Sequence, residues 1–173
     1  VNRCGPDAGK DNDFSWRGAC HTRDKVPGGY HDAGDHVKFG LPAAWSCATI
    51  AWATYEFPEI FKPVKDRNEK VLRYFADYFV KCHTSPNTFI HQIGNGDADH
   101  GYWGSPEGQG NGSRKVKTAP PGSEVCALTA AALALMYLNY KDEKYLSTAK
   151  SLYNLAKANI GSKYSGGQFY PSS

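Results

Sequence analysis

Apolar and polar positions divide the 173-residue chain into segments of two alternating kinds. Ala43 to Phe57, AAWSCATIAWATYEF, is nearly continuous in apolar and small residues and predicts a helix buried on most sides, with Pro58 limiting its continuation. From Val64 to Cys82 the apolar Val71, Leu72, Phe75, Tyr78, Phe79 and Cys82 recur at helical spacing. Lys65, Asp66, Arg67, Glu69, Lys70 and Arg73 cover the other side, so this helix is amphipathic. Ser123 to Tyr140, SEVCALTAAALALMYLNY, predicts a second buried helix with Ser123 as its N-cap. Glu143 to Ile160 is again amphipathic through Tyr145, Leu146, Ala149, Leu152, Tyr153 and Ala156, with Gly161 placed to stop it. Residues 1–42 and 83–122 carry no helical period apart from a short strand predicted at Thr88 to Ile93, and read as long loops at one end of the domain.

The order buried, amphipathic, buried, amphipathic predicts an all-α architecture of helical hairpins whose buried members form an inner ring. Four helices do not close such a ring, and Gly166 to Ser173 reads as a loop awaiting another element. The expectation is therefore one incomplete domain over residues 1–173. Composition changes little: 40% hydrophobic and 21% charged residues are ordinary for a globular chain. A formal net charge of +3 argues against a nucleic-acid partner. No apolar run approaches the roughly 20 residues that span a bilayer, which argues against a membrane partner. Aromatics do matter, because eleven Tyr and four Trp are many, and aromatic faces beside polar groups suit sugars. Trp45 and Trp52, inside an apolar run, are expected in the core, whereas Trp103 among Asp, His and Gly is expected at a site.

Candidate chemistry concentrates in GGYHDAGDHVKFGLP, residues 28–42, where two carboxylates, two imidazoles and an ammonium share fifteen residues with four glycines. Asp32 and Asp35 are separated only by Ala33 and Gly34, so a tight turn aims both carboxylates at one water. Two acids that close do not both ionise freely, which suits a general base with an assistant. The alternative is an Asx-turn in which the aspartates cap backbone N–H groups.

The same run resembles the N-terminal signature of family 9 glycoside hydrolases, the inverting cellulases and endoglucanases. The resemblance extends through Cys4-Gly5-Pro6, Trp16-Arg17-Gly18-Ala19-Cys20-His21, Gly94 to Gly104 (GNGDADHGYWG), Pro121 to Val125 and Thr129 to Leu133. It implies an (α/α)6 toroid with long loops at the active-site end, a β-1,4-glucan as substrate, and a secreted enzyme. Residue by residue it makes Asp35 the general base, Asp32 the aspartate that helps hold the nucleophilic water, and His100 and Trp103 substrate contacts. Tyr30 either adds a hydroxyl contact or packs in the core. The family's general acid is a glutamate far toward the C-terminus, and its motif has no match in this chain. Glu107 and Glu124 do not fit that motif, and Leu128 stands where the family often has a glutamate. The resemblance thus implies a chain holding the base half of a site, inactive without the missing C-terminal part of its own domain. A rival reading is a noncatalytic carbohydrate-binding or zinc-stabilised module.

Cys4, Cys20, His21 and His36 supply two thiols and two imidazoles, a set that suits tetrahedral zinc. A Cys4–Cys20 disulfide and unrelated free thiols are the alternatives. Some family 9 enzymes carry a structural zinc on such a set, so the resemblance implies zinc here. Calcium is common in the family. Its usual loop has no counterpart in this chain, and Asp97 and Asp99 form a weak acidic candidate.

Overall fold

The computed structural model describes residues 2–10, 12–163 and 169–170. In chain order its elements are β1 (Lys38–Phe39), α1 (Gly40–Glu56), α2 (Pro58–Phe61), a single 3-10 turn (Lys62–Val64), α3 (Lys65–Cys82), β2 (His83–Ser85), β3 (Thr88–Ile93), α4 (Gly96–His100), β4 (Val116–Ala119), α5 (Ser123–Tyr140) and α6 (Glu143–Ala158). Of the segment 166–173 that reads as a loop, only Phe169 and Tyr170 lie among the described residues.

Each long helix is held by the face its sequence prepares. On α3, Leu72, Phe75, Ala76, Tyr78, Phe79 and Cys82 are buried, which is the predicted stripe with Ala76 added and Val71 only half-buried. Helix α5 packs against α1 on one side and α6 on the other and buries Val125, Cys126, Thr129, Ala130, Ala132, Leu133 and Met136. Gly122 rather than Ser123 occupies its N-cap position; the Ser123 hydroxyl is instead donated to the Ser162 carbonyl at 3.0 Å. Pro58 does not end helical structure but starts the short α2, where its missing N–H is harmless at the first position.

Helix α1 departs from expectation in the face it buries. Its small residues Gly40, Ala44, Cys47 and Ala51 are the buried ones, while Trp45 and Trp52 are 65% and 60% exposed. Small side chains let the backbones of α1 and α5 approach closely, which turns the bulky residues outward, so the expected burial of both tryptophans is corrected. Likewise Tyr153 on α6 is exposed and Leu155 takes a place in the core.

The all-α expectation is corrected by a four-stranded antiparallel sheet. Its centre is β3, the strand read from sequence. β1 pairs with its C-terminal end (Lys38↔Ile93, Phe39↔Gln92), β2 with its N-terminal end (His83↔Phe89), and β4 runs along it from Phe89↔Ala119 to Ile93↔Val116. The pairing of β1 with β3 has a positional consequence: it lays the strand that follows the Asp32–Asp35 turn against the strand that leads to His100. Gly94, at φ +102°, ends β3, and a Cβ there would stand 2.5 Å from the Asp99 carboxylate. Only glycine lets the chain turn from the sheet into α4 with Asp99 so close.

Candidate active site and metal centre

The site is built on two backbone clasps. The N-terminal segment pairs as Arg3↔Tyr30 and Gly5↔Cys20, with Cys4 N–H donating to the Gly29 carbonyl at 2.9 Å and His31 N–H to the Asn2 carbonyl at 2.8 Å. These pairings draw residues 4, 20, 21 and 31 to one place. Beyond His31 the chain reverses: Asp35 N–H donates to the Asp32 carbonyl and Asp32 N–H to the Val37 carbonyl, both at 2.9 Å. Ala33 takes φ +49° in that turn, a left-handed conformation that costs a residue with a Cβ about 1–2 kcal/mol, and the Asn2 amide holds its carbonyl at 2.9 Å.

Asp32 and Asp35 meet different surroundings. Asp35 presents both carboxylate oxygens 3.1 Å from His100 Nδ1, and its side chain stays 29% exposed. Asp32 accepts a 2.5 Å hydrogen bond from the Tyr170 hydroxyl. Burial pushes the Asp32 carboxyl above its ordinary value, the Tyr170 hydrogen bond works against that, and the Asp35 charge adds to it. Tyr170 is a site residue that the sequence reading missed. It lies 138 positions away, in a segment with no period to mark it.

Trp103 is 96% exposed and His100 has its side chain 76% exposed, so the surface beside Asp35 is an open shelf. A cavity of about 600 Å³ lined by residues such as Arg3, Lys70 and Tyr74 includes neither carboxylate. An open shelf with an aromatic face suits a chain that lies along it better than a small molecule enclosed by it. Tyr30 lines a cavity of about 200 Å³ together with Asp32. Its hydroxyl donates to the Val71 carbonyl of α3 at 3.3 Å and its ring packs on Phe75 and Tyr74, so of the two readings the core position is the one observed. Glu107 accepts from Arg17 and, at 2.8 Å, from Gly18 N–H. Burial would raise its carboxyl, but these two donors outweigh it and hold the group below its ordinary value. That is the wrong direction for a proton donor.

The thiol–imidazole group also differs from expectation by one member. Donor atoms of Cys4, Cys20, His21 and His31 all lie within 4.8 Å of one another, and all four residues are buried. His36 is beside them rather than among them: its Nδ1 donates to Gln109 Oε1 at 2.8 Å. The turn explains the exchange, since His31 lies on the arm clasped by Asn2 and Cys4 while His36 lies on the returning arm. Cys4 and Cys20 are both free thiols. The Cys4 S–H directed at Cys20 raises the Cys4 thiol and lowers that of Cys20, with His21, His31 and Arg17 adding to the second effect. His21 Nδ1 and His31 Nε2 face each other at 3.2 Å, which is close to the separation of two nitrogens on a tetrahedral ion with bonds of about 2.0–2.1 Å. Two thiols, two imidazoles and that spacing fit a closed zinc site. The acidic calcium candidate fits poorly, because Asp99 already accepts from Asn95 N–H and the Gln109 amide and faces Arg114.

Comparison with known proteins decides the family. The sequence profile of Glycosyl hydrolase family 9 matches residues 1–173, the whole chain. The chain belongs to glycosyl hydrolase family 9. This family 9 chain is 40% identical over 163 residues to Endoglucanase 4 of Bacillus sp. (strain KSM-522), covering 85% of this chain and 26% of that protein. It is 41% identical over 162 residues to Endoglucanase B of Cellulomonas fimi, covering 84% and 16%. Among solved structures it superposes on the cellulase Cel9M of C. cellulolyticum, solved alone and with cellobiose, with a TM-score of 0.93 and 47% identity over 99% of this chain and 44% of that one. Endoglucanase CelQ from Clostridium thermocellum, complexed with cellotetraose, gives 0.88 and 35% over 99% and 29%. The family 9 chain thus spans about a quarter of the length of the first of these curated relatives.

Proposed function

We propose that this chain is the base-bearing part of an inverting endo-β-1,4-glucanase built on an (α/α)6 toroid, acting outside the cell on cellulose or a related β-glucan. The observation that carries this reading is one turn holding two inequivalent carboxylates, Asp32 on Tyr170 and Asp35 on His100, with an exposed tryptophan three residues after that histidine in the chain. Asp35 takes a proton from a water as that water's oxygen forms its bond to the anomeric carbon from the face opposite the leaving group. The glycosidic C–O bond breaks, and its oxygen receives a proton from a general acid, so the anomeric configuration inverts. Asp32 holds the water from its second side. His100 orients Asp35 and meets a sugar hydroxyl, and Trp103 supplies a stacking platform. The acid is a glutamate in the remainder of the catalytic domain, about 6.5–9.5 Å from Asp35 across the cleft.

The test uses the full-length protein and a soluble β-1,4-glucan, with proton NMR following the first reducing ends. The expected product is the α-anomer before mutarotation. An initial β-anomer would overturn inversion, and binding to cellulose without cleavage would favour a noncatalytic carbohydrate-binding module.

Cys4, Cys20, His21 and His31 hold a structural zinc in this proposal. Such an ion supplies a closed four-ligand cross-link and no reactive position. These residues anchor the arm that leads into the Asp32–Asp35 turn. Elemental analysis of the full-length protein should find one zinc at this group; His31→Ala should lose it, and His36→Ala should keep it. Zinc retained by the first variant and lost by the second would restore the ligand set read from sequence.

A further inference from the structure

Gln109 lies in a glycine-rich loop that the sequence marks only as irregular, yet its amide joins three parts of the site. Its Oε1 accepts from His21 Nε2 at 2.9 Å and from His36 Nδ1 at 2.8 Å, and its Nε2 donates to Asp99 Oδ1 at 2.7 Å. Chemistry fixes this orientation, because a carboxylate only accepts and therefore faces the NH2 end. Both lone pairs of Oε1 are then used by ring N–H groups. Protonation of His21 at Nε2 leaves its Nδ1 lone pair directed at His31 and the thiol group.

The connections are also sequential. His36 follows Asp35, and Asp99 precedes His100, so Gln109 grips the residue next to each member of the Asp35–His100 pair. Asp99 is itself 4% exposed and tied to Asn95 N–H, so it is a firm anchor for the donor end. We propose that Gln109 is a positioning residue that couples the thiol–imidazole metal group to the general base, fixing the His21 tautomer with its oxygen and the placement of His100 against Asp35 with its nitrogen. This rests on the hydrolase and zinc readings given above.

Two variants of the full-length protein separate the two ends of the amide. Gln109→Met removes both. Its zinc should pass to a chelator about 10–100 times more readily, the usual effect of losing a partner behind a metal-bound histidine. Its kcat on a soluble β-1,4-glucan should fall about tenfold with KM within about twofold, because the Trp103 stacking platform is untouched and the main loss is in the alignment of Asp35. Gln109→Glu keeps two acceptor positions for His21 and His36 but sets a carboxylate against Asp99. It should hold zinc as the wild type does while its kcat stays low, a split that general loosening of the loop does not produce.

Wild-type zinc retention and kcat in Gln109→Met would overturn the proposal. So would Gln109→Glu losing zinc about 10–100 times more readily than the wild type, a comparison that stands even where Gln109→Met fails to fold. A wild-type protein that takes up no zinc sinks the metal reading and this inference together. A wild type that holds zinc but leaves the glucan intact sinks the hydrolase reading, and the retention comparison still decides whether Gln109 orients His21.

Discussion

Asp35→Asn is expected to leave the protein folded and to lower kcat on a soluble β-1,4-glucan by about 10²–10⁴, the range for losing general acid–base help. At about 1.4 kcal/mol per tenfold this is roughly 3–6 kcal/mol of transition-state stabilisation. Folding should be spared because the side chain is 29% exposed and its partner His100 is more exposed still, so no buried charge is stranded. The amide oxygen still accepts from His100 Nδ1, which keeps the shelf in place, but it has no basicity with which to take a proton from water. KM should therefore change little. Turnover within about threefold of wild type would remove Asp35 from the base role, and a fall in melting temperature parallel to the fall in kcat would mean that the residue is structural.

Asp24→Asn should give the largest loss of stability. The Asp24 side chain is fully buried and binds Lys38 Nζ at 2.9 Å and Arg114 at 2.7 and 2.9 Å, with Lys38 itself 2% exposed. In the variant the Lys38 ammonium keeps the Val26 and Gly28 carbonyls and the face of Tyr78 but faces a neutral amide in place of the carboxylate. Breaking such a buried pair from one side costs about 3–5 kcal/mol. For a chain of this size that is about 6–20 °C in melting temperature. Acid should have a related effect on the wild type. Burial works to raise the Asp24 carboxyl, but hydrogen bonds from Arg114 and the charge of Lys38 outweigh it and hold the group below its ordinary value of 3.8. A group depressed in the folded state contributes stability that is fully present above its unfolded value and is lost as pH falls below it. Thermal melts between pH 7 and pH 3 should show a wild-type decline below about pH 4 that is reduced in Asp24→Asn. A variant within about 1 kcal/mol of wild type at pH 7 would mean that the buried lysine has found another partner.

Much of the scaffold was legible because it is local. The α3 stripe follows from a 3.6 period, and α5 and the strand at Thr88–Ile93 from short runs of apolar residues between turn signals, none of which needs knowledge of the rest of the chain. Trp45 and Trp52 were misread because an almost uniformly apolar helix does not declare which face it packs. The decision went to the stripe of Gly40, Ala44, Cys47 and Ala51, whose small size allows close approach. In the site, spacing brought Cys4, Cys20 and His21 to notice, but His31 and His36 are equivalent in sequence. Only the direction of the Asp32–Asp35 turn and the clasp of Asn2 on His31 separate them. Tyr170 and Gln109 were invisible for a different reason: each acts through partners many residues away, Gln109 at separations of 88 from His21 and 73 from His36.

That difference in separation also sets an order in time for a chain emerging from a ribosome. The thiol–imidazole group and the backbone clasps around it are complete within the first 31 residues, whereas Tyr170 comes 138 residues after the aspartate it binds. At about 5–20 residues per second, roughly 7–28 s separate the synthesis of Asp32 from that of its tyrosine. Through that interval the nascent chain carries the Cys4 and Cys20 thiols beside an Asp32 that lacks its tyrosine, whereas Asp35 gains His100 only 65 residues after it is made. Any metal available to it meets a finished set of donors long before the catalytic turn has received its last hydrogen bond.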